Sequence, residues 1–258
     1  MTAWTPGALQ PRPGAAPRTA MWAAQSRTEM ILLLRNGEQV LLSLVLPVGL
    51  LVVLSTLDFV EVTRTGVRRV DYFTPGVIAL AVMSTAFTGQ AIATGFERQY
   101  GVLKRLGATP LPRSVLLLAK TSSVLAVELL QMLLIGAVAY ALGWQPAGSV
   151  LAVLLLVVLG TAAFSGLGLL LGGTLRGLTC LAVANLAWLL LLVLGGIMFG
   201  LDKFGAAEPV LRLLPSAALS DGLRSSLVDG HVVLRDVLTL GVWAAASLVA
   251  AARAFRWD

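Results

Sequence analysis

Apolar and polar positions along this chain fall into long blocks rather than alternating, and the blocks are as long as membrane crossings. Almost wholly apolar runs cover residues 40–57, 75–95, 115–142, 150–171, 178–201 and 232–252. About 20 apolar residues carry a helix through the hydrocarbon core of a bilayer, so the pattern predicts about six transmembrane helices. The runs are continuous, which excludes barrel strands, whose apolar positions recur every second residue. One interruption differs in kind. Residues 96–120 read FERQYGVLKRLGATPLPRSVLLLAK, a charged, proline-terminated island between two apolar runs. On a helical wheel Phe96, Tyr100, Val102, Leu103 and Leu106 share an arc. Glu97 stacks with Lys104 two turns on, and Arg98 with Arg105 beside them. The pattern predicts a helix over 96–106 lying across the membrane face, its mixed-charge side toward water. Gly107, Pro110 and Pro112 then stop it and turn the chain into the third run.

The remaining segments are read in the same way. Residues 1–17 are rich in Pro, Gly and Ala and read as a disordered tail, with 18–258 forming one membrane domain. Residues 18–37 suggest a helix on the inner surface, with Ala23, Met30 and Leu34 on one side and Gln25, Glu29 and Asn36 on the other. Pro47 predicts a kink in the first span, and Thr74-Pro75 reads as a cap and first turn opening the second. The loop 143–149 is short, whereas 202–231 is long. In the latter Leu219, Leu223 and Leu227 follow Pro215 at helical spacing, which predicts a helix lying in the outer leaflet or dipping back into it. Gly168 with Gly172, and Gly196 with Gly200, sit four apart and allow close helix contacts. No internal repeat marks a duplicated carrier.

Composition sharpens the class. The 258 residues are 57% hydrophobic and only 12% charged, against about 25% charged in soluble domains, and mean hydropathy is +0.88. An all-α integral membrane protein is the only class that accommodates this. With the N-terminus inside, the inner segments hold Arg12, Arg18, Arg27, Arg35, Arg98, Lys104, Arg105, Arg113, Lys120, Arg176, Arg253 and Arg256. The outer ones hold Arg64, Arg68, Arg69, Lys203, Arg212, Arg224 and Arg235. The excess inside puts both termini in the cytoplasm. The basic balance is thus a topology signal with a minor share for anionic lipid, and nucleic acid is not an expected partner. Residues 1–37 lack a signal-peptide core, so the first span is expected to start insertion itself. Cys180 is the single cysteine, which excludes an intrachain disulfide.

Polar residues within the spans are the candidate chemistry. Glu128 lies deep in the third span with Gln131 on roughly the same face. A carboxyl there costs about 2.5–3.5 kcal/mol on insertion scales. It could line a path, attract a cation or lock a helix pair. Thr88 and Gln90, with Ser84, Thr85 and Thr94, make the second span more polar than lipid wants, for interhelical hydrogen bonds or for a path. Asn185 reads as a packing hydrogen bond. His231, alone among scattered acids, suggests no metal site.

Glu97-Arg98-Gln99-Tyr100-Gly101, then Leu103-Lys104-Arg105-Leu106 and Ala108-Thr109-Pro110, resembles the coupling segment of type-2 ABC exporter permeases. Daunorubicin-type drug efflux, polysaccharide export and teichoic-acid export systems are of this kind. The family pattern is roughly E-R-E-x-G-T-L-x-R-L-x-A-T-P, followed by residues leading to G-K. This chain departs from it at Gln99, Val102 and Ala119. The resemblance extends along the chain through the inner helix, six spans, a long last outer loop and a short tail. It implies a permease subunit that pairs with a second copy or a sister permease on two cytosolic ATPase subunits. Glu97, Arg98, Tyr100, Gly101, Lys104 and Arg105 would then meet the ATPase, with substrate-path candidates at Glu128, Gln131, Gln90 and Thr88. No cofactor is expected on the chain itself. It carries no G-x-x-x-x-G-K-[ST] loop, so ATP and Mg would sit on the partner. An amphiphilic or hydrophobic substrate moving outward through the cell membrane, in a bacterium by the Ala/Leu/Gly/Arg-rich style, completes the expectation. An ATP-independent carrier or channel is the alternative, and a membrane enzyme is disfavoured by the poor supply of His and clustered acids.

Overall fold

The computed structural model describes residues 14–57, 66–197 and 200–255. The expected disordered tail, 1–17, falls mostly outside them. The described chain is helical throughout: α1 (Arg18–Arg35), α2 (Gly37–Thr56), α3 (Arg69–Val82), a π-helical segment (Met83–Gly89), α4 (Gln90–Gln99), α5 (Val102–Gly107) and α6 (Arg113–Ala141). There follow α7 (Val150–Thr174), α8 (Gly177–Leu194), a 3-10 turn (Leu201–Ala207), α9 (Glu208–Leu211), α10 (Pro215–Leu227) and α11 (Leu234–Ala254). Five continuous helices are long and apolar enough to cross a membrane: Arg69–Gln99, Arg113–Ala141, Val150–Thr174, Gly177–Leu194 and Leu234–Ala254. Ser43–Thr56 adds a shorter apolar one. The chain is an all-α, multi-pass membrane protein.

Two span boundaries move. The second begins at Arg69, so Pro75 is inside α3 rather than opening it. The fifth ends at Leu194 rather than near 201, which places Gly196 and Gly200 outside the helix and removes them as a packing pair.

The first span keeps its expected Pro47 within α2. Proline donates no hydrogen bond, so the carbonyl four residues earlier, that of Ser43, is left over. Gln131 of α6 takes it, its Nε2 donating to Ser43 O at 3.0 Å and to Thr85 Oγ1 at 3.1 Å. In lipid a freed carbonyl must find such a partner. One side chain therefore ties the first three spans together.

At the centre lies α7, packed against α11 on one side and against the π segment and α4 on the other. The second contact runs backbone to backbone. A Cβ on Gly168 would stand 2.7 Å from Phe87 O, and one on Gly172 2.7 Å from Ala91 O. The core around Phe164, Leu156 and Val157 continues into α10, where Leu219, Leu223 and Leu227 are buried.

Of the two expected placements, lying in the outer leaflet or dipping back into it, that burial does not suit the first, because α10 is sunk into the bundle against α3, α7 and α11. Pro215 starts it at the position where a missing N–H costs nothing. Ser220 Oγ donates to Gly195 O at 2.9 Å and Arg224 Nη2 to Gly196 O at 3.3 Å, so α10 satisfies carbonyls that the end of α8 leaves open.

Gly168→Val and Gly172→Val should each cost about 1–3 kcal/mol by forcing α4 and α7 apart. Gly136→Ala, where nothing lies within 4 Å of a new Cβ, should cost little. Thermal unfolding of the purified variants in mild detergent measures the difference.

Candidate functional site

The charged island at the end of the second span does not form a single helix. α4 ends at Gln99, Tyr100 leaves helical geometry, and Gly101 takes φ +71°, a left-handed conformation that favours glycine. α5 then runs for a single turn and a half. The continuous helix over 96–106 is therefore corrected to two helices with a bend between them, and the wheel drawn across the bend does not hold. The wheel's arc is divided: Leu103 is fully buried among Leu116, Leu117, Leu169, Ala251 and Phe255, whereas Tyr100 and Val102 are exposed.

The bend, at Gly101, sorts the other five expected contact residues into two groups. Tyr100 is 66% exposed, and Lys104 and Arg105 are exposed beside it. Tyr100 stacks on Phe96 with ring centroids 6.0 Å apart, and its carbonyl accepts from Arg105 Nη2 at 3.4 Å. Glu97 and Arg98 turn the other way. Arg98 Nη1 donates to Gly173 O near the end of α7 at 2.9 Å. Glu97 Oε1 accepts from Lys120 Nζ at 2.8 Å, and the same ammonium donates to Glu29 Oε2 at 3.0 Å. Lys120 is 4% exposed, so this is a buried ion cluster of one cation between two carboxylates.

Through that cluster α1, α4 and α6 are joined. Gln25 Nε2 donates to Glu29 Oε1 at 2.7 Å and orients it. Trp22 Nε1 donates to Ser122 Oγ at 3.1 Å, and Ser123 Oγ to Ser26 O at 3.0 Å. The expected two sides of α1 stay apart: Glu29 is its buried residue, while Ala23 and Leu34, with Ile31 and Leu32, are exposed. That is the orientation a helix takes when its outside is lipid and its inside is a polar bundle. Sequence reasoning missed Glu29 and Lys120 as a pair because 91 residues separate them. The available signal was the acid on the polar side of α1, Glu29.

Further along the spans lies a cavity of about 630 Å³ between α2, α3, the π segment and α8. Its wall is mostly apolar, with Ser43, Ser84, Thr85 and Thr88 as polar points. Such a cavity, apolar with a few placed hydroxyls, suits an amphiphilic ligand. The π segment carries three of those hydroxyls, in a geometry often found at functional sites. Ser84 accepts from Trp188 Nε1 at 3.0 Å, Thr85 is held by Gln131, and Thr88 Oγ1 has no partner among the described residues.

Of the four path candidates, the structure puts only Thr88 on this wall. Gln131 stands behind it and fixes Ser43 and Thr85. Gln90 is buried off the wall with both amide atoms unpartnered. Glu128 is 1% exposed and points to α7, where Thr161 Oγ1 donates to its Oε2 and to Val157 O. Asn185, expected to pack, is instead exposed on the face of α8 that also presents Val183, Leu186 and Leu189.

Lys120→Met should leave Glu29 and Glu97 buried together without a cation, at a cost of about 3–5 kcal/mol. Lys104→Ala, at an exposed position, should stay within about 0.5 kcal/mol. Thermal unfolding of the two variants against the wild type separates a structural cluster from a surface charge.

Residues 21–228 match the family model described as ABC-2 type transporter. No curated protein matches the chain.

Proposed function

The chain belongs to the ABC-2 type transporter family, and from that premise we propose that it is the membrane subunit of an ATP-driven exporter whose motor is a separate cytosolic ATPase. The observation that carries this reading is the division of the charged island. Tyr100, Lys104 and Arg105 form a small basic, aromatic surface at the inner end, and Leu103, Arg98 and the Lys120 cluster hold its base rigidly on α1, α4, α6 and α7. A surface meant to be pushed needs such a base. ATPase closure would press on Tyr100–Arg105 and move α4 and α7 together.

Substrate would be an amphiphilic or hydrophobic molecule that reaches the 630 Å³ cavity sideways from the inner leaflet, with Thr88 offering its unpaired hydroxyl. Two permease chains and two ATPase subunits, with ATP and Mg on the latter, would make the working unit. One residue of α8 supports a place for the second chain. Asn185 is polar, exposed and in the middle of α8, where an unpaired amide facing lipid is costly and a partner helix would satisfy it.

The test is purification of the tagged chain from its native membrane in mild detergent. Wild type should bring down a stoichiometric ATPase, and Lys104→Glu with Arg105→Glu should lose it about tenfold or more while remaining monodisperse. Recovery of wild type as an intact oligomer without any ATPase would overturn the reading. Separately, Asn185→Leu should weaken chain-to-chain association by about 1 kcal/mol, read as a shift of the dimer fraction on dilution in detergent.

A further inference from the structure

At the end of the bundle opposite the island is a second cavity, of about 440 Å³ and different in character. Its wall includes Tyr72 of α3, Arg212 at the end of α9, Asp221 and Arg224 of α10, and Arg235 and Asp236 of α11. Three guanidinium groups and two carboxylates surround one space. Burial raises the Asp221 carboxyl from its ordinary value, against the lowering pull of Arg224, and three guanidinium groups against two carboxylates leave the wall richer in positive charge.

Two of these groups are buried, and each has one polar atom without a partner among the described residues. Arg224 is 5% exposed. Its Nη1 donates to Asp221 at 3.3 Å, its Nη2 to Gly196 O at 3.3 Å, and its guanidinium lies 4.8 Å from the centre of the Tyr72 ring. Its Nε is buried with no acceptor. Asp236 is 1% exposed. Its Oδ1 accepts from Arg235 Nε at 2.9 Å and Nη2 at 2.7 Å, while Oδ2 is buried with no donor. Leaving a buried charged donor and a buried charged acceptor unmatched is expensive. Both residues line one cavity, where a single molecule can match both atoms once the two side chains turn toward it.

We propose that this cavity binds an anionic phosphate ester that also carries a hydrogen-bond donor. The phosphate oxygen would accept from Arg224 Nε, and a hydroxyl or ammonium on the same molecule would donate to Asp236 Oδ2. Guanidinium groups suit phosphate because their fixed donors match its oxygens. Depth on the bundle favours a phospholipid headgroup. Tyr72 is three residues into α3 and Asp236 two into α11, which at about 1.5 Å per residue is about 3–4.5 Å from the helix ends, near the interface with the headgroup layer. The inference depends on the permease reading only in placing this end outside, and binding can be measured on the purified chain without an ATPase.

The experiment follows thermal unfolding of the full chain in a phosphate-free, non-lipid detergent while short-chain lipids are titrated. Dihexanoyl phosphatidylglycerol carries both phosphate and hydroxyl, dihexanoyl phosphatidylcholine carries phosphate without a donor, and inorganic phosphate carries both without lipid. The expected result is stabilisation by phosphatidylglycerol at about tenfold lower concentration than by phosphatidylcholine, the scale of one charge-assisted hydrogen bond. Arg224→Lys, which removes Nε, and Asp236→Asn should each abolish that preference. Stabilisation by inorganic phosphate at the same concentration as phosphatidylglycerol would support the chemistry and assign it to a free phosphate. Equal response to the two lipids in wild type would overturn the proposal without recourse to any variant. So would an unchanged preference in both variants, or no response to any of the three probes.

Discussion

The inner end of this bundle depends on one buried ammonium. Lys120 is almost wholly withdrawn from solvent and shared between Glu29 and Glu97. A lone cation at that depth would be prohibitive, and two carboxylates without it would repel. Only the three together are tolerable, so α1, α4 and α6 are committed to a common arrangement. The orientation of α1 follows, with its polar side inward and Ile31, Leu32 and Leu34 left to the lipid. So does the position of Tyr100, Lys104 and Arg105, which emerge directly beyond the residue that the ammonium holds.

A parallel logic runs through the spans, where each departure from regular helix is answered by a neighbour. Pro47 frees Ser43 O and Gln131 takes it. The end of α8 leaves carbonyls that Ser220 and Arg224 take from α10. These pairings bring together segments distant in sequence. They suit a medium in which water cannot stand in for a missing partner.

The sequence made the membrane class, the approximate spans and the importance of residues 96–120 legible, since these depend on run length and local composition. The match over residues 21–228 agrees with the family suggested by the coupling motif. Contacts across the chain were less legible. Glu97 and Lys104 look alike on a wheel, and only the left-handed turn at Gly101 sends one inward and leaves the other out. The leucines of α10 announced a helix, but not that three other helices would enclose it. Glu128 and Gln131 share a face in sequence, yet Thr161 and Ser43 draw them to different neighbours. A π segment has no plain signature in residue type, so the widening behind Ser84, Thr85 and Thr88 could not be read in advance.

The glycine contact between α7 and the second span has a mechanical meaning. Where helices touch through side chains, a small displacement is absorbed as rotamers turn and dispersion contacts slide. Gly168 and Gly172 remove that cushion, because carbonyl oxygens of the π segment and α4 rest directly against the α7 backbone. Stiffness of this kind has a direction. Thrust along α4 would meet a stiff seam and pass to α7, whereas on the lipid-facing side of α8 the same thrust would dissipate in hydrocarbon.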